Sequence, residues 1–170
     1  MASTSNPHAE AGRQTAGLRD SLMHVRSIVV RERSHVPTKS IILGGISQGL
    51  AVASHVLLSS RYTFGAFLGF CGCTRFHQKL REDLSVFYDV ELGIPLHSDR
   101  TRAIKMTPIV LWYCTDDDVI DVENGRDAGA ILKTLGCMVQ YHGFATGGHE
   151  ISEPRGWDLI RAQIELLMEG

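Results

Sequence analysis

What this chain of 170 residues has little of narrows it first. It carries four cysteines, Cys71, Cys73, Cys114 and Cys137, and no two stand in the C-x-x-C spacing of a zinc or redox site. Cys71 and Cys73 flank a single glycine, and neighbours that close rarely bridge, so free thiols in a reducing compartment are expected. Excess charge is missing too. The net charge is −2 with histidine neutral, without the basic field that nucleic acid or an anionic membrane surface requires. No apolar run reaches the length of a membrane span. The opening MASTSNPHAEAGRQTAG lacks the apolar core of a secretory signal, and the closing LLMEG carries no lipidation or retention motif. The expected location is cytoplasmic. No internal repeat is visible.

What is present is an ordinary globular composition, 44% hydrophobic and 21% charged, enough for one domain with a core that needs neither disulfide nor metal. Residues 1–16 are polar and aperiodic and read as a disordered tail, leaving 17–170 as the domain. Leu18, Leu22, Val25 and Val29 form a helical stripe that Pro37 cannot continue. Ser40–Gly45 is a short apolar run closed by glycines, which suits a strand buried on both faces. Residues 48–60 are apolar around most of the circumference and predict a buried helix. Strands are expected at 64–70, 107–113 and 137–142, a helix at 122–135 ending near Gly136, and a last amphipathic helix carrying Trp157, Ile160, Ile164 and Leu167. Residues 71–105 read as loop with one or two short helices. Strands alternating with helices predict an α/β fold with a parallel sheet, right-handed crossovers and functional groups at the carboxyl ends of the strands.

Gly45-Ile46-Ser47-Gln48-Gly49 fits G-x-S-x-G. In this pattern the serine sits on a sharp strand-to-helix turn that lifts its Oγ above the sheet. A side chain at either flanking position is expected to collide with the neighbouring strand or helix. The bare string is weak; the apolar strand before it and the apolar helix after it give it meaning. No Gly-Lys-Ser/Thr follows, which disfavours a phosphate loop. The bland reading is a glycine-rich turn without chemistry.

A serine hydroxyl needs a histidine to take its proton and a carboxylate to orient that histidine. The chain order in such folds is Ser, acid, His. After the 107–113 strand come Asp116, Asp117, Asp118 and Asp121, and spacing alone does not choose among them. The base should follow the last strand. His149 does, behind Gly147-Gly148, whereas the other histidines lie in the tail, before the acid, or inside predicted elements.

From about Gly17 onward these motifs resemble the acyl-protein thioesterase and carboxylesterase family, also called phospholipase/carboxylesterase, within the α/β-hydrolases. Ser40-Ile41-Ile42-Leu43-Gly44-Gly45-Ile46-Ser47-Gln48-Gly49 is close to I-x-L-G-G-F/I-S-Q-G. Thr107-Pro108-Ile109-Val110-Leu111 running into Asp116-Asp117-Asp118-Val119-Ile120 is similar to T-P-hydrophobic…H-G-x-x-D-P-V-V-P, and Gly148-His149 matches a terminal G-H. The resemblance implies a catalytic Ser47, Asp117 and His149, with Asp117 chosen because Asp118 stands in the place of the proline. It implies the Gln48 backbone N–H as an oxyanion donor, no cofactor, and carboxylic esters or S-acylated proteins as substrates.

The departures carry their own expectations. Tyr113-Cys114 replaces His-Gly, Asp118 and Asp121 replace two prolines, and Phe70-Cys71-Gly72-Cys73 stands in place of L-S-G-W-L-P. Only 46 residues precede Ser47, without the H-G-x-G-D loop that supplies a second oxyanion donor. The chain therefore reads as an α/β-hydrolase-type sheet lacking its first strands, with impaired turnover and an apolar edge at Ile41–Leu43 open to homodimerisation or aggregation. The acyl pocket is expected within 71–105. The rival readings are a catalytically inactive α/β-hydrolase-fold binding protein, a peptidase or lactonase with the same triad, and a domain whose G-x-S-x-G is incidental.

Overall fold

The computed structural model describes residues 7–72, 100–151 and 153–168, with side chains at 17–72, 102–151 and 153–166. Helix α1 (Pro7–Glu32) starts upstream of the apolar stripe and places Leu18, Leu22 and Val29 in the core, with Arg19 and Arg33 exposed. A 3-10 turn at Thr38–Ser40 follows Pro37 and leads into β1 (Ile42–Ile46). Helix α2 (Gln48–Ser59) leaves β1 through Ser47, and nine of its residues are buried. Next come β2 (Ala66–Phe70), the short α3 (Arg100–Lys105), β3 (Ile109–Cys114), α4 (Val122–Thr134), β4 (Val139–Phe144) and α5 (Arg155–Met168).

The four strands form one parallel sheet in chain order, β1-β2-β3-β4, with Gly44 beside Leu68 and Phe70 beside Trp112. Two cores flank it. One joins Leu43, Phe67, Ile109 and Leu111 to Leu22 of α1, Leu57 of α2 and Leu132 of α4. The other joins Ala66, Leu68, Val110 and Trp112 to Ile160 of α5. This is the predicted α/β-hydrolase-type architecture, a parallel sheet with helices on both faces.

One expectation is corrected. β1 is not buried on both faces: Leu43 is buried, but Ile42 and Ile46 are 38% and 45% exposed. The reason is position. β1 is an edge strand among the described residues, and the core under α5 contains no residue of β1. The reading of 71–105 as loop with short helices falls mostly outside the described residues; within them α3 is its one helix. No helix among the described residues is long and apolar enough to cross a membrane.

Candidate active site

The site begins at the join between β1 and α2. Ser47 takes φ 54° and ψ −123°, a conformation that costs a non-glycine residue roughly 1–3 kcal/mol and persists only where its surroundings enforce it. They do so here: the Ser47 N–H donates to the Phe70 carbonyl at 2.9 Å, and its carbonyl accepts from Leu50 at 3.1 Å. A Cβ on Gly45 would lie 2.3 Å from the Gly49 carbonyl carbon and oxygen, so the first glycine of the motif is sterically required. The second is not. A Cβ on Gly49 would meet nothing within 4 Å outside its own helix among the described residues, which corrects the expectation that both must be glycine. Gln48 is the first residue of α2, so its backbone N–H has no acceptor within the helix and stands at the positive end of the dipole.

The other groups come from the loops after β3 and β4. These strands pair along their whole length to Cys114 beside Phe144, and Thr115 extends the pairing by donating its N–H to Phe144 at 2.8 Å and its hydroxyl to Ala145 at 3.2 Å. The two loops therefore leave the sheet side by side. His149 Nδ1 lies 2.9 Å from Asp117 Oδ2 and 3.1 Å from Oδ1, and His149 Nε2 lies 2.8 Å from Ser47 Oγ. An ionised carboxylate only accepts, so Nδ1 carries the proton and Nε2 is left to accept from the serine hydroxyl. The Asp117 side chain is 3% exposed and that of His149 22%. Burial by itself would raise the Asp117 pKa. Donation from the Ile120 N–H, His149 and the Val119 N–H outweighs it and holds the carboxyl below its ordinary value.

The four aspartates that spacing left open thus have separate surroundings. Asp117 meets His149. Asp121 caps α4, its carboxylate accepting from the Glu123 N–H at 3.0 Å. Asp118 is exposed. Asp116 accepts from the Gly148 N–H at 2.8 Å and the Gly147 N–H at 3.2 Å. Those glycines take φ 61° and 145°, the region that favours glycine. Past His149, the Glu150 carbonyl accepts from the Cys71 thiol at 3.1 Å and the Cys114 thiol at 3.7 Å. Cys71 itself has φ 41°. Burial, then the neighbouring Cys114 and Asp117, push its pKa up to about 12, so it stays a neutral donor near pH 7. Sequence reading weighed Asp116 only as one of four candidate acids, and it noted Cys71 and Cys114 only as departures from the family pattern, with no role beside His149. Among the described residues no cluster of His, Cys, Asp and Glu could hold a metal ion. The expected acyl pocket within 71–105 lies largely outside the described residues.

The chain matches the phospholipase/carboxylesterase family over residues 4–162. It is 25% identical over 162 residues to acyl-protein thioesterase 1 of Candida albicans, covering 92% of this chain and 62% of that protein. Among solved structures it is similar to Arabidopsis thaliana SOBER1 (TM-score 0.70, 21% identity, 90% of this chain and 65% of that one). Zea mays acyl-protein thioesterase 2 is also similar (TM-score 0.68, 18% identity, again 90% and 65%). At these identities the structural likeness is one of fold, and the chain spans under two thirds of each of these relatives' length.

Proposed function

The chain belongs to the phospholipase/carboxylesterase family of α/β-hydrolases, and from that premise we propose that it is a serine hydrolase of carboxylic esters or acyl thioesters. The reading assigns Ser47 as nucleophile, His149 as general base and acid, Asp117 as the carboxylate that holds the imidazole, and the Gln48 N–H as oxyanion donor. The observation that carries it is the unbroken contact from Ser47 Oγ to His149 Nε2 to Asp117, at 2.8 and 2.9 Å.

The chemistry follows from the proton positions. Ser47 Oγ attacks the acyl carbonyl carbon while His149 Nε2 takes the hydroxyl proton. The resulting imidazolium is stabilised by the buried Asp117 carboxylate, which remains ionised because its pKa is held low. Negative charge gathers on the former carbonyl oxygen beside the Gln48 N–H. Collapse breaks the bond to the alkoxide or thiolate, which leaves with the His149 proton. Water, deprotonated by the same Nε2, then releases the acid and restores Ser47. The substrate class, esters or the S-acyl groups of proteins, is proposed from the family and from the name of the Candida albicans relative.

The experiment is hydrolysis of short p-nitrophenyl esters, with intact-mass analysis of the quenched reaction. A mass increment of one acyl group localised to Ser47 is expected, and Ser47→Ala should abolish it. Folded protein that neither turns over esters nor acquires the increment would favour the rival of an inactive binding protein.

A further inference from the structure

The elements that bring His149 to Ser47 do not by themselves fix the His149 loop. The loop follows the last strand, contains two glycines at positive φ, and ends in a histidine whose ring must point at a serine 102 residues earlier. Two consecutive glycines give a free chain many conformations, and only a small share aims the imidazole at Ser47. Something must select that share.

We infer that Asp116, Cys71 and Cys114 form a two-sided clamp that positions His149, with Asp116 holding the backbone before it and the two thiols holding the carbonyl after it. The inference rests on the hydrolase reading for its consequence, but its geometry stands by itself. Asp116 places one oxygen on each N–H of Gly147 and Gly148, at 3.2 and 2.8 Å. Two consecutive amides captured by one carboxylate fix the peptide planes on both sides of Gly147. A charged acceptor makes each such bond stronger than a neutral one. On the other side, Cys71 at the end of β2 and Cys114 at the end of β3 converge on the one Glu150 carbonyl. Both cysteines are buried, so that carbonyl is tied to the two central strands. His149 is therefore pinned from both directions, within one to two residues of its Cα.

The arrangement divides labour between adjacent carboxylates. Asp117 meets the ring and Asp116 meets the backbone that carries the ring. Neither Asp116 nor the thiols contact the reacting atoms, so they are positioning residues. Their loss should appear in the chemical step more than in substrate binding, because misplacement of about 1 Å at a catalytic group can cost on the order of 10²-fold in rate.

The test uses the full chain with Asp116→Ala, Asp116→Asn and Cys71→Ala. Two readouts are taken: p-nitrophenyl acetate kinetics, and amide hydrogen exchange at Gly147 and Gly148. Asp116→Ala is expected to lower kcat on the order of 10²-fold with KM little changed, and to speed exchange at both glycines. Asp116→Asn, which keeps one acceptor oxygen, should fall between. Cys71→Ala should lower kcat without altering exchange at the glycines. Unchanged kcat in folded Asp116→Ala would overturn the inference, as would a loss that only tracks the unfolded fraction. If the unsubstituted chain hydrolyses no ester, the hydrolase reading fails separately and exchange decides the clamp: unaltered protection in Asp116→Ala overturns it, faster exchange supports it. Should Asp116→Ala fail to fold, Asp116→Asn carries the same comparison.

Discussion

At the scale of the residue, the two glycines of G-x-S-x-G are not equivalent. Gly45 is closed off by the Gly49 carbonyl at 2.3 Å from a would-be Cβ, whereas a Cβ on Gly49 meets nothing within 4 Å outside its own helix among the described residues. Gly45→Ala should therefore destabilise the fold by at least the ~1–3 kcal/mol of an overpacked core. Gly49→Ala should be neutral or stabilising by up to ~1 kcal/mol, the helix preference of alanine. Thermal unfolding of the two variants checks this. Asp117 offers a second expectation. Its folded pKa lies below the unfolded value, so the stability it contributes is complete above about pH 4 and is lost as pH falls through the lower folded value. Denaturant midpoints at pH 7 and pH 3 should fall further for the unsubstituted chain than for Asp117→Asn. Asp117→Asn should also reduce kcat by about 10⁴-fold, the cost of the wrong imidazole tautomer in serine proteases. Parallel acid loss in both proteins would show that Asp117 is not held low.

At the scale of the element, the strands and helices were legible because each signal was local. The run Ile109–Cys114 is continuously apolar or aromatic, and Gly136 at φ 81° closes the α4 pattern. The position of Ser47 and His149 was equally legible, because a strand-to-helix turn and a Gly-Gly-His after the last strand leave their marks in sequence. The partition of the aspartates was not. Asp121 caps α4 locally, but whether a carboxylate meets the ring or a glycine N–H depends on how two loops 32 residues apart are aligned by the β3–β4 register. No spacing within one loop encodes that, and only the resemblance singled out Asp117. Convergence of Cys71 and Cys114 was hidden for the same reason. The one-sided burial of β1 was misread because an apolar run says nothing of what neighbours it. That edge carries its own expectation. Ile42 and Ile46 are exposed on what is an edge strand among the described residues, a template for pairing with another copy. We expect concentration-dependent association in sedimentation velocity, reduced by Ile42→Lys. A monomer throughout the accessible range would remove the edge as an interface.

At the scale of the whole molecule, the sheet places three chain segments so that Ser47, Asp117 and His149 touch, and the proposed activity depends on little else but the oxyanion donors. The account as a whole stands on the serine hydroxyl being activated by the imidazole 2.8 Å away. Reaction of the folded chain with a fluorophosphonate, read by mass spectrometry of the Ser47 peptide, tests this most directly. Phosphonylation at Ser47 that is lost in His149→Ala is the predicted result. A folded chain that stays unlabelled, or one that labels equally well without His149, would contradict it.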